Sequence, residues 1–231
     1  MGKDKEVKAE KNIQAVESAL SKTEHFIEKN QKIIMYVVGA IAVIILGYMA
    51  FNKFYLGPKE KDAESAMFWA ERYFEKDSLK LALEGDGTNL GFIDIIDEYG
   101  MTKSADLAHY YAGMIYLKQG QYQDAIDNLK DFDGDDQIVS CMATGGIGDA
   151  YMELGDNDEA LKYYLKAADK HDNKFSTPLY LMKAGWTYEI MGKYDESLKL
   201  YERIQKDYYG SYESREIEKY IARAKGKLGE K

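Results

Sequence analysis

The feature that most constrains this chain is an apolar run from Ile33 to Phe51, nineteen residues without a charged side chain. At about 1.5 Å per residue, a helix of this length covers roughly 28 Å, close to the hydrocarbon thickness of a bilayer. Gly39 and Gly47 are compatible with this, because glycine is common in membrane helices. The alternative, a buried core helix, would normally be shorter and carry a polar stripe. The run therefore predicts a transmembrane helix over 33–51.

The run does not have the form of a cleavable signal peptide. It is longer than the apolar region of such a peptide, and the sequence after it, Phe51-Asn52-Lys53-Phe54, is bulky and polar where a cleavage site needs small residues. We therefore expect the chain to stay anchored, with a tail over 1–32, a linker over 52–59 and a domain beyond it.

The tail before the anchor predicts a second helical segment. Residues 5–31 contain no Gly or Pro, and larger or β-branched side chains recur three and four residues apart, at Ile13, Val16, Leu20, Thr23 and Ile27. Two interpretations stay open. The helix either lies on membrane lipid or runs straight into the anchor, or it docks on another membrane protein.

Charge gives a weak signal for orientation and a stronger one for partners. Lysines flank both sides of the anchor, but the Lys-rich tail favours a cytoplasmic N-terminus. The domain would then lie outside, in the periplasm of a bacterium.

Residues 54–231 carry 23 basic and 34 acidic side chains, a net charge of −11. This acidity argues against a nucleic-acid partner and against binding of the domain to anionic lipid.

The domain carries an internal repeat. Three glycines lie 35 and 37 residues apart, at Gly113, Gly148 and Gly185. Each is followed by a tyrosine, at Tyr116, Tyr151 and Tyr188, and then by a second glycine, at Gly120, Gly155 and Gly192. A small residue and then a large one complete the pattern, at Ala125, Ala160 and Ser197 and at Leu129, Tyr164 and Tyr201.

A period near 34 with small and aromatic residues at these offsets is typical of tetratricopeptide repeats, each a pair of antiparallel helices. Small residues let the two helices approach, and the second glycine breaks the chain between them. Asn157 and Asp158 lie where a second helix should begin, and Thr177-Pro178 predicts an N-cap followed by proline at the first helical position.

The whole chain is therefore predicted to be all-α. The tail and the anchor precede an α-solenoid with a degenerate first repeat over 60–101, three tetratricopeptide repeats over 102–210 and a capping helix over 211–231. The turn-rich segment from Glu84 to Asn89 interrupts the degenerate repeat.

No residue pattern predicts an enzyme, a cofactor or a metal site. His25, His109 and His171 lie far apart in sequence, and the single Cys141 stands in an apolar helix pattern. The Asp-rich turn from Asp131 has Met142 where a calcium loop needs its bidentate glutamate.

The repeats predict a concave, partner-binding face on the first helix of each pair. The register assigns to it Tyr110, Met114, Leu117, Met142, Asp149, Met152, Met182 and Trp186. Flexible methionine beside an aromatic anchor suits a surface that adapts to several apolar segments. The alternative is that these side chains only pack between neighbouring helices.

The order of parts resembles the YfgM-like bacterial inner-membrane proteins. The resemblance rests on the charged tail, the single anchor, the repeats that follow, and the segments Thr23–Gln31, Phe74–Asp77, Gly85–Gly87, Tyr111–Gly113, Gly148–Tyr151 and Ile217–Arg223. It implies a single-pass protein with its N-terminus in the cytoplasm and its domain in the periplasm. It also implies partners: the SecYEG translocon, a PpiD-like periplasmic chaperone and emerging secreted proteins.

Two functional hypotheses follow. The first is a non-enzymatic translocon accessory that links emerging proteins to periplasmic chaperones. The second is a membrane-tethered scaffold for another cell-envelope assembly, which binds one dedicated partner through a fixed peptide motif.

Overall fold

The structure, a computed structural model, describes the backbone of residues 3–229 and the side chains of residues 24–229. The side chains proposed to form the seam of the tail, from Ile13 to Thr23, lie outside the described ones. Within the described residues all regular secondary structure is helical, which confirms the predicted all-α class.

The helices of the chain follow one another with short connections. In order they are α1 Lys3–Phe51, α2 Gly57–Glu75, α3 Leu79–Glu84, α4 Phe92–Tyr99, α5 Lys103–Lys118, α6 Tyr122–Asp131, α7 Val139–Glu153, α8 Asn157–Lys170, α9 Ser176–Ile190, α10 Tyr194–Asp207 and α11 Ile217–Leu228. A π-helical turn, Asn52–Leu56, precedes α2, and a 3₁₀ turn, Glu213–Glu216, precedes α11. The chain divides into two units, residues 1–57 and 58–231.

The first unit contains α1, which runs without a break from the tail through the apolar run. Apart from the half-buried Ile34, the large apolar side chains from Ile33 to Phe51 are exposed, among them Val43 and Leu46. By length and composition, the helical stretch from Glu24 is long and apolar enough to cross a membrane.

The expected linker over 52–59 is helical. A π-helical turn covers Asn52–Leu56, the Gly57 N–H donates to the Asn52 carbonyl, and α2 begins at once. In a regular helix Pro58 would lack its N–H and its ring would press on the carbonyl four residues before it. A wider turn directly before a proline relieves this conflict, so the proline does not stop the helix.

Three helix pairs form the regular part of the second unit: α5 with α6, α7 with α8, and α9 with α10. Each pair turns at the second glycine of its repeat, where φ is +75° at Gly120, +80° at Gly155 and +73° at Gly192. Glycine adopts this left-handed conformation at little cost. At each turn the N–H of the next residue donates to the carbonyl of the repeat's tyrosine, at 2.9, 2.9 and 2.8 Å.

The first glycine of each repeat lies against the large residue that ends the pattern. A Cβ at Gly113 would lie 2.6 Å from Leu129 Cγ, and one at Gly148 would lie 2.7 Å from Tyr164 Cδ1. A Cβ at Gly185 would overlap the ring of Tyr201, a side chain that is fully buried. The absence of a side chain at these positions therefore lets the two helices of each pair approach.

Ahead of the regular pairs, α2, α3 and α4 share a core with α5. Met67, Leu83, Phe92, Ile95 and Ile115 are buried together there. Glu60 of α2 also accepts hydrogen bonds at the start of α5, from the backbone N–H of Lys103 at 2.8 Å and that of Ser104 at 3.0 Å. A carboxylate at a helix N-terminus accepts hydrogen bonds from the free backbone N–H groups and also interacts favourably with the helix dipole.

Asp86 organises the turn-rich segment of this region. It accepts the Tyr73 hydroxyl at 2.6 Å and the backbone N–H groups of Thr88 and Asn89. The bond from Tyr73, followed by those from Asn89, lowers the pKa of Asp86 below its usual 3.8. Because the folded-state pKa is depressed, its contribution to stability is present above pH 3.8 and is lost as the pH falls below that value.

The start of α9 differs from the prediction. Thr177 is not an N-cap, because α9 already begins at Ser176. The Asn173 side chain accepts the N–H groups of Phe175 and Ser176 at 2.9 and 2.7 Å, so it supplies the cap from further upstream. At the C-terminal end, α11 buries Ile217, Ile221 and Ala224 against the last pair.

A candidate protein-binding groove

The predicted concave residues lie on the first helix of each pair. Tyr110, Met114 and Leu117 belong to α5, Met142, Asp149 and Met152 to α7, and Met182 and Trp186 to α9. The structure distributes them over two cavities and one packed region between helices.

The first cavity has a volume of about 360 Å³ and contains three of the predicted residues. Its lining comes from α5 to α9: Leu117, Tyr122, Asp149, Met152, Glu153, Tyr164 and Lys183. The first cavity therefore combines carboxylates, an ammonium group and apolar side chains.

The second cavity, about 460 Å³ in volume, contains Met182 and Trp186. It is formed by α9 together with the segment that leads into α11: Leu179, Met182, Trp186, Tyr212, Glu213, Arg215, Glu216 and Tyr220. We call it the C-terminal cavity. Both volumes are in the range of pockets that hold small ligands or single side chains.

Tyr110, Met114 and Met142 line neither cavity. The Tyr110 hydroxyl lies 3.9 Å from Met142 Sδ, and a Cβ at Gly146 would lie 3.4 Å from Met114 Sδ. All three are half-buried and fill space between α5 and α7.

Three lining residues of the first cavity, Asp149, Tyr164 and Lys183, form a polar network. Asp149 accepts Lys183 Nζ at 2.6 and 2.7 Å and the Tyr164 hydroxyl at 2.7 Å. The Lys183 ammonium also lies 5.6 Å from the ring centroid of Tyr164 and 5.8 Å from that of Tyr180. The network joins α7, α8 and α9, so it couples the second repeat to the third.

Gly145 makes this network possible. A Cβ at Gly145 would overlap the Tyr180 ring, which crosses from α9 onto α7 at this point. Burial raises the pKa of Tyr180 and of Tyr164, and the Asp149 carboxylate raises both further. Both hydroxyls therefore stay protonated at neutral pH, and that of Tyr164 remains a donor to Asp149.

Several lining residues were not predicted from the sequence. Lys183 and Tyr122 occupy repeat positions that are not among those predicted for the concave face. Tyr212, Glu213 and Arg215 lie after the last regular pair, so the repeat pattern contains no signal for them. Within residues 24–229 no three His, Cys, Asp or Glu side chains are grouped so that they could hold a metal ion.

The three stacked helix pairs form an α-solenoid of the tetratricopeptide repeat type. Tetratricopeptide repeat family models match residues 107–132 and 139–208. The chain thus carries tetratricopeptide repeats. They indicate a protein-interaction module, on a fold that typically serves as a non-catalytic scaffold.

Solved structures support the same fold. A crystal structure of a Podosopora anserina protein, described as a kinesin light chain with nearly identical TPR-like repeats, superposes with a TM-score of 0.55 at 18% identity. The superposition covers 74% of this chain and 88% of that one. MamA gives a TM-score of 0.50 at 20% identity, over 69% of this chain and 94% of its own.

Curated relatives share sequence over a limited part of their length. Superkiller complex protein 3 of Mus musculus is 28% identical over 130 residues, which cover 55% of this chain and 8% of that protein. The Homo sapiens counterpart is 26% identical over 148 residues, 64% of this chain and 9% of that protein. The chain spans less than a tenth of the length of these relatives.

Proposed function

We propose that this protein is a membrane-anchored interaction module, an accessory of the SecYEG translocon that holds emerging secreted polypeptides and passes them to a PpiD-like periplasmic chaperone. The observation that carries the proposal is the presence of two cavities that first-helix side chains of the repeats help to line, in a chain that also has a helix of bilayer length. The resemblance to the YfgM-like proteins supplies the translocon and the chaperone as partners.

The cavities support the binding of extended polypeptide rather than of one rigid surface. Met152 in the first cavity is an adaptable apolar contact and Trp186 in the second an exposed aromatic one, and the charged groups beside them can satisfy backbone and side-chain polar atoms. A groove that recognises short segments in this way suits clients of varied sequence.

The proposal includes an inner-membrane location with the N-terminus in the cytoplasm and the repeats in the periplasm. Protease added to spheroplasts should therefore remove the domain from Lys59 onward and leave the anchored tail, as read by antibodies against each end. The same protease added to inverted membrane vesicles is the control and should leave the domain intact. Protection of the domain in spheroplasts would overturn the proposed location.

Photocrosslinking in cells tests the partners. A photoreactive amino acid at Ile27 or Val43, both exposed on α1, should capture translocon subunits, and one at Met152 or Trp186 should capture a chaperone or emerging chains. Mass spectrometry of the adducts identifies them. If the positions on α1 capture no translocon subunit, the accessory role fails.

A scaffold for another envelope assembly is the second candidate, and the C-terminal cavity favours it, since its combined aromatic and charged lining suits one motif. Changing Met152 and Trp186, one from each cavity, together to Ala should lower the amount of partner that copurifies with the protein about tenfold or more, because aromatic anchors dominate such interfaces. A matched double change of the exposed Leu154 and Ile190 to Ala should not. Loss of one envelope complex with normal secretion would select the scaffold over the translocon accessory.

A further inference from the structure

We propose that the C-terminal cavity receives a lysine or arginine side chain of the bound polypeptide, so that clients dock through a basic residue flanked by apolar ones. This inference rests on the proposed function of the groove and adds the chemistry that it selects. It is carried by the aromatic lining of the cavity, by its carboxylates and by the charge of the surrounding domain.

Three aromatic side chains line the cavity: Trp186, Tyr212 and Tyr220. Trp186 is 40% exposed, and its ring centroid lies 5.9 Å from that of Tyr220, while Tyr212 is strongly exposed. Part of the indole is therefore accessible to a group that enters from solvent. Indole is the aromatic ring that attracts cations most strongly.

The chain itself already places cations on the neighbouring rings. Lys219 Nζ lies 4.9 Å and the Arg223 guanidinium 4.8 Å from the centroid of Tyr220, and the Arg215 guanidinium lies 5.7 Å from that of Tyr212. Within the described side chains, no lysine or arginine lies over Trp186. The Trp186 face is therefore the part of this aromatic cluster that remains for a cation from a partner.

The carboxylates of the lining exceed its cations. Glu213 and Glu216 face the cavity against the single Arg215. Glu216 also pairs with Lys219 on the solvent side, which is an exposed pair that costs little to rearrange. A basic side chain would place its aliphatic stem on Leu179 and Trp186 and its charge near Glu213.

The charge of the whole domain acts in the same direction. The net charge of −11 over residues 54–231 attracts basic segments and repels acidic ones before contact. An acidic polypeptide would have to bring its carboxylates next to Glu213 and Glu216, with Arg215 as the one basic residue of the lining. Charge complementarity therefore favours a basic occupant.

The test uses the full-length protein in detergent and an array of overlapping short segments of one exported protein. Each segment is printed in three forms: unchanged, with Lys and Arg replaced by Gln, and with Asp and Glu replaced by Asn and Gln. Binding should fall about fivefold or more when the basic residues are replaced, and should not fall when the acidic ones are.

Two variants assign this preference to the cavity. In Glu213→Gln/Glu216→Gln, the difference between unchanged and basic-free segments should shrink to about twofold or less. The matched control Asp207→Asn/Glu218→Gln removes the same charge from exposed positions outside the cavity lining and should keep the full difference.

The outcomes separate the two proposals. Binding that does not depend on basic residues, or a preference that survives in Glu213→Gln/Glu216→Gln, overturns the basic-residue inference and leaves the peptide-binding groove in place. An absence of binding to every form of every segment overturns the groove function as well.

Discussion

Replacing Asp149 by Ala should lower the free energy of unfolding of the repeats by about 2–4 kcal/mol. The change leaves the Lys183 ammonium and the Tyr164 hydroxyl without their shared acceptor. The side chains of Asp149 and Lys183 are only 30% and 26% exposed, so water replaces the lost partner incompletely. Denaturant unfolding followed by circular dichroism measures the effect.

A second ion pair provides the control for this prediction. Asp169 and Arg203 also join neighbouring helices, but their side chains are 67% and 38% exposed and their charged atoms lie 3.5 Å apart. Asp169→Ala should therefore cost less than about 1 kcal/mol. Adding Lys183→Met to Asp149→Ala should restore part of the lost stability, because both charges are then absent. Equal costs for Asp149→Ala and Asp169→Ala would show that the network does not join the repeats.

The same substitution at two helical glycines should change stability in opposite directions. Gly185→Ala should destabilise the protein by about 1–3 kcal/mol, because the added Cβ meets the ring of Tyr201, which has no free space to move into. Gly226→Ala in α11, where a Cβ has no neighbour within 4 Å, should stabilise by about 0.5–1 kcal/mol through helix propensity.

Thermal unfolding of the two variants checks the sign of each effect. A rescue variant tests the stated cause. Tyr201→Ala, which removes the ring that the added Cβ meets, should reduce the cost of Gly185→Ala when that cost is measured in the Tyr201→Ala background. If Gly185→Ala instead stabilises the protein as Gly226→Ala does, the close approach of α9 and α10 is not what fixes glycine at this position.

The repeat register was predictable because the same short-range geometry recurs in each pair. A glycine at the centre of one helix and a large residue sixteen positions later meet in all three pairs, at Gly113 with Leu129, Gly148 with Tyr164 and Gly185 with Tyr201. The turn glycines were predictable for the same reason, since each helix pair turns through a residue with a left-handed φ, which glycine adopts most readily. The π-helical turn over Asn52–Leu56 was not predicted, because a single turn of this kind leaves no clear signal in composition.

The candidate groove was predictable only in part. Leu117, Asp149, Met152, Met182 and Trp186 are among the residues that line the two cavities, whereas Tyr110, Met114 and Met142 are not. The register treats all first-helix positions alike, whereas Gly145 leaves room for the Tyr180 ring from the next repeat. Which predicted residue is open and which is packed thus depends on side chains contributed by the next repeat.

By itself, the sequence determined the helical class, the repeat period, the turn positions and the bilayer-length apolar run, because each depends on residues close together in the chain. Only the tertiary structure decided that Asp149 pairs with Lys183, thirty-four residues away, and that Tyr212 and Glu213 complete the C-terminal cavity. These contacts arise where different helices stack. Stacking is fixed by the shapes of many side chains together, and no local pattern along the chain encodes it.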